Sequence, residues 1–200
     1  MTDLLYSVDR SIFYFVNHSL QNSLFDAAMP FITDLNKNPP AIVVVAVLWL
    51  LLLVKGGRQG RIGAVLLVVA VVFSDWFNSC FLKFVFERIR PCHVLPDVHL
   101  LVSCGSGYSF PSSHAVNNFT GAAVLSSFVP KGRWALYLFT SVVAFSRVYV
   151  GVHYPSDVLA GAIAGIGLGS VAAFLFVKIE SWWNERNAST LSSTDTQQEP

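Results

Sequence analysis

The sequence predicts an all-α fold: a polytopic transmembrane helical bundle of about five spanning helices, preceded by N-terminal interfacial amphipathic helices. Two observations lead there. Hydrophobic residues make up 54% of the 200 residues and charged residues only 12%, against about a quarter charged in soluble domains, and the mean hydropathy is +0.55. Long apolar runs also recur along the chain, separated by short turns rich in Pro, Gly and basic residues. The length fits one domain. A net charge of +1 carries no information by itself, because in such proteins the placement of Lys and Arg matters more than their sum.

Residues 1–37 mix aromatics with Asn17, His18, Gln21, Asn22 and Asp26. They never reach the roughly 20 consecutive apolar residues that a span needs, so the segment is expected to form amphipathic helices lying on the membrane. Its first ten residues, MTDLLYSVDR, are mildly acidic and do not read as a secretory signal. The membrane core is expected over residues 38–180. Residues 41–54, AIVVVAVLWLLLLV, follow Pro39 and Pro40 and form the first span. Residues 62 to about 86 form the second, increasingly polar at Asp75, Asn78 and Lys83 and stopped by Pro91. After a loop of roughly twenty residues, Pro111 reads as the first-turn proline of a third helix reaching Pro130. The fourth runs from Trp134 to about Gly151. The fifth spans Val158 to Val177, with Gly161, Gly165 and Gly169 on one face where a neighbouring backbone can approach. Residues 181–200 are polar and read as a disordered tail.

With five spans, Lys55, Arg58 and Arg61, then Lys131 and Arg133, then Lys178 and Arg186 fall on one side, which the positive-inside rule makes cytoplasmic. Lys83, Arg88, Arg90 and Arg147 fall on the opposite side. Facing lipid at mid-depth they would cost about 2.5–3.5 kcal/mol each, roughly 10 kcal/mol together. They are therefore expected to line a wet pocket or to snorkel.

Three clusters meet at that outer face. In KFVFERIRP, Lys83 and Arg90 are seven residues apart, so a continuous helix would put both on one face and leave Arg88 off it, as a headgroup contact or an interfacial anchor. Guanidinium groups such as Arg90 and Arg147 match the nonbridging oxygens of phosphate with two parallel bonds. In PSSH, the amides of Ser112, Ser113 and His114 are first-turn donors facing an anion, although Ser112 also reads as an ordinary helix cap. His114, protonated, would serve as a general acid. In SRVYVGVHYPSD, His153 and Asp157 are four apart. The carboxylate can hold one ring nitrogen and free the other for attack on phosphorus. The chemistry these residues imply is phosphoryl transfer.

The ordered pattern Lys83, six residues, Arg90-Pro91; Pro111-Ser112-Ser113-His114; Ser146-Arg147, five residues, His153, three residues, Asp157 resembles the type 2 phosphatidic acid phosphatase family, which shares its site with vanadium haloperoxidases. The match covers residues 83–157 directly, and the helix spacing from 40 to 178 is similar to membrane-bound bacterial members. The resemblance implies phosphate binding by Lys83, Arg90, Ser112, Ser113 and Arg147, with His153 as nucleophile, Asp157 as its partner and His114 as acid. It also implies a bacterial inner membrane, with the site on the periplasmic or extracellular face. Two departures stand out. The family usually has glycine where Ser113 stands, and many members carry an extra helix before the region resembling residues 1–37, which leaves the N-terminus of this chain outside.

The function implied is hydrolysis of a lipid phosphate through a phosphohistidine, on a polyprenyl diphosphate, phosphatidylglycerol phosphate, phosphatidic acid, diacylglycerol pyrophosphate or lipid A type of substrate. The alternatives are a lipid phosphotransferase using the same intermediate and a non-enzymatic lipid-binding protein. The partners implied are the lipid phosphate and the bilayer, with no nucleic acid, and spacing does not reveal an oligomeric state. No cofactor is called for, because cationic side chains and helix amides supply the charge stabilisation. His93, Cys92 and Cys104 form an incomplete metal-ligand set, and a Cys92–Cys104 bridge is expected only in an oxidising compartment.

Overall fold

The computed structural model describes residues 2–195, and side chains over 4–187. Among these, every regular element is helical. Helix α1 (Thr2–Tyr14) runs into a π-helical turn at Phe15–Ser19. Helix α2 (Ser23–Thr33) is capped by Asn22, whose side chain accepts from the Phe25 amide at 2.9 Å. Helix α3 (Pro39–Lys55) starts on two prolines, with Asn38 accepting from the Ala41 amide at 3.1 Å. Proline loses nothing there, because a first-turn amide has no partner within the helix. Then come α4 (Gly57–Phe77), a π turn at Asn78–Leu82 and α5 (Lys83–Phe86), which make one rod. Short α6 (Pro91–Val94) precedes α7 (Ser113–Phe128), α8 (Arg133–Tyr149) and α9 (Pro155–Asp195).

Helix α7 is the axis of the bundle, packing most extensively on α9 and then on α4 and α8. The three α9 glycines explain how α9 comes so close. A Cβ on Gly161 would sit 2.8 Å from both the Ser112 oxygen and the Ala115 Cβ, and one on Gly165 or Gly169 would collide with the Val116 or Thr120 oxygen. Small-residue packing was expected of this stripe; its consequence is that the start of α9 is pressed against the start of α7. Polar bonds fasten α4 to the other side of α7. Asn117 donates to Asp75 at 2.7 Å and accepts from Ser74 at 3.0 Å, while Asn78 donates to Ser113 at 2.9 Å.

Apolar side chains cover the outside. Helix α3 has no buried residue, and Val43, Val44, Val45 and Leu48 stand open. A soluble monomer does not tolerate such a continuous apolar surface. Among the described residues, two segments, Gly57–Val94, which holds the α4–α5 rod, and Pro155–Asn187 within α9, are long and apolar enough to cross a bilayer, and Pro39–Lys55 is a shorter apolar helix.

Several boundaries differ from expectation. The second long helix ends at Phe86, where Glu87 turns left-handed (φ 46°), and Pro91 opens α6 instead of stopping a helix. Pro111 follows a cis peptide and lies outside α7, so Ser112 is the N-cap. Helix α9 starts at Pro155 and passes through the segment expected to be disordered as far as Asp195, since residues 181–195 contain neither Pro nor Gly to stop it. Residues 196–200 lie outside the described residues.

The N-terminal segment is fastened to the rest of the protein as well as amphipathic. Asn17, fully buried, donates to the His99 and Tyr149 carbonyls at 2.9 and 2.7 Å and accepts from the His99 amide. Asp26 of α2 accepts from Tyr149 at 2.6 Å and from His99 at 3.0 Å. These two bonds, Tyr149 first, hold the Asp26 carboxyl below its usual range. A buried cluster of Phe13, Val16, Met29, Val148, Tyr149, Val152 and Tyr154 seals the contact. Residues 4–37 thus form a cap over the loops that carry the candidate site.

Candidate active site

The site begins at the end of α8. Gly151, at φ 86°, reverses the chain where a Cβ would strike Val98 at 2.7 Å, a conformation that costs glycine little. The reversal delivers His153 to the start of α9, where Tyr154 is the N-cap and Asp157 the third helical residue. The Asp157 carboxylate reaches back to accept from the Tyr154 amide at 2.9 Å, the return bond of a capping box. The same oxygen, Oδ2, faces Nδ1 of His153 at 3.3 Å. Helix capping therefore places the carboxylate that orients the imidazole.

Arg90 defines the other ring nitrogen. Its Nη1 lies 3.1 Å from His153 Nε2 and 3.2 Å from the Val152 carbonyl, and its Nε donates to Gly107 at 2.8 Å. Guanidinium only donates, so Nε2 is the unprotonated nitrogen and Nδ1 carries the proton given to Asp157. Burial, and then the positive charges of Arg147, Arg90 and Lys83, push the His153 imidazole well below its usual range. The ring is thus neutral with its Nε2 lone pair taken up by Arg90, and that lone pair becomes available for attack only when the guanidinium turns to an anion.

The start of α7 faces this ring. The Ser112 amide donates to the Asp157 carbonyl at 3.1 Å, so it is not free for an anion, as had been expected. Its hydroxyl is buried without a partner, and so are Nε2 of His114 and Nε of Arg147. Buried polar atoms are rarely left unpaired. Three of them fall on residues that the sequence separately assigned to phosphate binding or acid catalysis, and each has bonding capacity left open. Arg147 also donates from Nη1 to Thr33 at 2.7 Å. The charged groups around His114 are Arg147, His153, Asp34 and Lys37, and those around Lys83 are Arg90, Asp75, Arg147 and Asp157. The three clusters thus converge. Ser113 takes the Asn78 bond, which gives its hydroxyl a use in joining α4 to α7 where a glycine would have none.

Two residues escaped the sequence reading. Arg88, expected as a headgroup contact or an interfacial anchor, donates to Asp157 Oδ1 at 2.8 Å and to Asp9 at 2.6 Å, and lies 3.9 Å over the Tyr154 ring. The expectation assumed that a continuous helix carried Lys83, Arg88 and Arg90. The helix ends at Phe86, so that face geometry does not hold, and Arg90 arrives on extended backbone. Asp9 lies in the N-terminal segment, and no motif points to it. Beside the site, Cys92 and Cys104 are bonded to each other, with His93 Nε2 at 3.3 Å from the Cys104 sulfur.

Comparison with known proteins gives the family and agrees with the fold. The sequence profile of the PAP2 superfamily matches residues 63–181. An undecaprenyl-diphosphatase of Sulfolobus acidocaldarius is 36% identical over 174 residues, 85% of this chain and 77% of that protein. The Bacillus subtilis undecaprenyl-diphosphatase BcrC is 32% identical over 86% of this chain and 82% of its own length, and a lipid A 4'-phosphatase of Porphyromonas gingivalis is 28% identical over 90% and 78%. The crystal structure of Aquifex aeolicus LpxE superposes with a TM-score of 0.68 at 28% identity, covering 82% of this chain and 94% of that one. A Bacillus subtilis PAP2-type phosphatidylglycerolphosphate phosphatase shares the fold, with a TM-score of 0.64 at 23% identity and 88% of each chain covered. The expected family is thereby established: with most of its length matched, the chain belongs to the PAP2 superfamily.

Proposed function

We propose that this membrane lipid phosphatase cleaves the terminal phosphate of a long-tailed lipid, a polyprenyl diphosphate first among the candidates, through a phosphohistidine on His153. The observation that carries the reading is the ring itself. It is held at Nδ1 by Asp157, aimed at Nε2 by Arg90, and faced by the unpartnered atoms of Ser112, His114 and Arg147. The preference for a polyprenyl diphosphate rests on two relatives with undecaprenyl-diphosphatase names at 36% and 32% identity.

Nε2 attacks phosphorus while the bond to the leaving lipid oxygen breaks, and His114 gives that oxygen its proton. With a diphosphate the lipid monophosphate departs. Arg90, Arg147, Lys83, the Ser112 hydroxyl and the amides of Ser113 and His114 neutralise the three equatorial oxygens. Asp157 stabilises the positive charge that the ring acquires. Water then attacks the phosphorus, the P–N bond breaks back onto Nε2, His114 takes the water's proton, and inorganic phosphate leaves. Side chains and amides supply the charge stabilisation throughout.

The same reading makes α3, the α4–α5 rod, α7, α8 and α9 five spans in a bacterial inner membrane, with the site on the periplasmic or extracellular face. The site residues come from the start of α5 and the N-cap of α6, the start of α7, the end of α8 and the turn into α9, which is one end of the bundle. At the opposite end Arg58 pairs with Glu180, and Trp134, Trp182 and Trp183 are exposed as in an interfacial belt. The Cys92–Cys104 bridge favours an oxidising side for the site.

Purified protein tested on a panel of polyprenyl diphosphate, phosphatidylglycerol phosphate, phosphatidic acid and lipid A is expected to release phosphate fastest from the first. A phosphorylated acceptor with little free phosphate would convert the reading to phosphotransfer. Absence of turnover on every lipid would end it.

A further inference from the structure

We infer that Asp9, from the N-terminal helix, and Arg88 form a positioning couple that sets the His153–Asp157 dyad, so that helix α1 is part of the catalytic apparatus and not only a membrane anchor. The inference rests on the proposed role of that dyad and adds to it where its geometry comes from.

The contacts form a closed circuit. Asp157 is fully buried and already gives Oδ2 to the Tyr154 amide and to His153. Its Oδ1 is held by Arg88 Nη1 at 2.8 Å. The other arm of the fork, Nη2, goes to Asp9 at 2.6 Å. Asp9 in turn accepts from the Ser156 amide at 2.9 Å and from its hydroxyl at 2.6 Å, and Nη1 of Arg88 also donates to that hydroxyl at 2.6 Å. Asp9, 147 residues away in sequence, thus bonds a first-turn amide of the very helix that carries Asp157. The guanidinium lies 3.9 Å over the Tyr154 ring, and Tyr6 reaches the Tyr154 hydroxyl at 3.4 Å.

Two physical consequences follow. One guanidinium shared by two carboxylates leaves Asp157 with only part of its charge compensated, so it stays a strong acceptor for Nδ1–H as the ring becomes positive. The fixed fork also sets the rotation of Asp157, which decides whether Oδ2 faces Nδ1. Without Asp9, the whole charge of Arg88 bears on Asp157, weakening its hold on the imidazolium, and the start of α9 loses an amide partner. The circuit is tied to the bilayer through α1, whose Leu4, Leu5, Val8 and Ile12 are exposed beside it. A groove of about 530 Å³ between α1 and α9, floored by Asp9, Arg88 and Ser156 and walled by Leu5, Val8, Ile12 and Leu159, runs along the same contact.

The test uses full-length protein in lipid-detergent micelles. Asp9→Asn keeps the shape and removes the charge, and Arg88→Lys keeps a charge but cannot fork. Each is expected to lower kcat about tenfold or more, the scale on which lost supporting bonds act, with KM within about twofold. The double variant should be no worse than Arg88→Lys alone. An independent readout is the Nδ1–H resonance of His153 in 15N-histidine-labelled protein, assigned by its loss in His153→Gln and expected to shift in both single variants. Wild-type kcat together with an unmoved resonance in folded Asp9→Asn would overturn the couple while leaving the phosphatase reading intact. A shifted resonance in a protein that hydrolyses no lipid phosphate would do the reverse. If Asp9→Asn does not fold, Arg88→Lys decides by the same two readouts, and full kcat with an unmoved resonance there rejects the inference.

Discussion

The two histidines of the site are treated in opposite ways by the structure around them. His153 is engaged at both ring nitrogens, Nδ1 against Asp157 and Nε2 against Arg90, in a turn closed by capping bonds. His114, the second residue of α7, has a buried Nε2 without a partner, as do the Ser112 hydroxyl and Nε of Arg147. A nucleophile needs one tautomer and one direction, which demands bonds made in advance. Groups that receive an anion or hand over a proton need bonding capacity left open. The difference between a finished region and an open one matches the two roles proposed for these histidines.

The largest effect expected breaks the finished side. His153→Ala should lower phosphate release by at least about 10⁴-fold and abolish acid-labile phosphate trapped on the protein; full turnover in this variant would end the covalent mechanism. His114→Ala breaks the open side, with an expected loss of about 10²–10⁴-fold. The comparison sharpens with a p-nitrophenyl phosphate substrate, whose leaving group needs no proton. That substrate should restore the leaving-group step in His114→Ala, read as a burst of p-nitrophenolate before the water step that His114 also serves, and restore nothing in His153→Ala.

Gly165→Leu attacks the contact that holds the two regions face to face. The side chain would meet the Val116 carbonyl of α7, and a loss of about 1–3 kcal/mol in stability is expected, read as a lower unfolding temperature in detergent together with reduced turnover. The pH dependence is smaller. The folded-state value of His153 is lowered by burial and the nearby cations, so its contribution to stability is complete above the unfolded-chain value of about 6.5. It is lost progressively as pH falls from there toward the folded value. Thermal unfolding between pH 7 and 5 should show this slope, and His153→Gln should flatten it. The smallest expected effect is that of excess chelator, which should leave phosphate release unchanged; loss of activity restored by a divalent cation would reveal a ligand set beyond these residues.

Much of the site was legible in the sequence because its chemistry is local in three places. A basic residue before Pro91, a Ser-Ser-His run at a helix start and a His-Asp pair four residues apart are each readable by composition and spacing. Their meeting at one end of the bundle followed from placing apolar runs across a bilayer. Arg88 was misread because a helical period was extended past Phe86, where Glu87 breaks it. The Ser112 amide was misassigned because its true partner, the Asp157 carbonyl, lies 45 residues away.

What the sequence alone determined is therefore the inventory and its gathering at helix ends: apolar segments that must leave water, and charged residues that cannot lie in lipid. Only the tertiary structure decided which ring nitrogen of His153 carries the proton, which donors stay unpaired, and that Asp9 and Arg88 hold the dyad. These depend on bonds between residues as far as 147 positions apart. No local period encodes such bonds; they arise from the close approach of α7 and α9 and from the N-terminal cap folded over them.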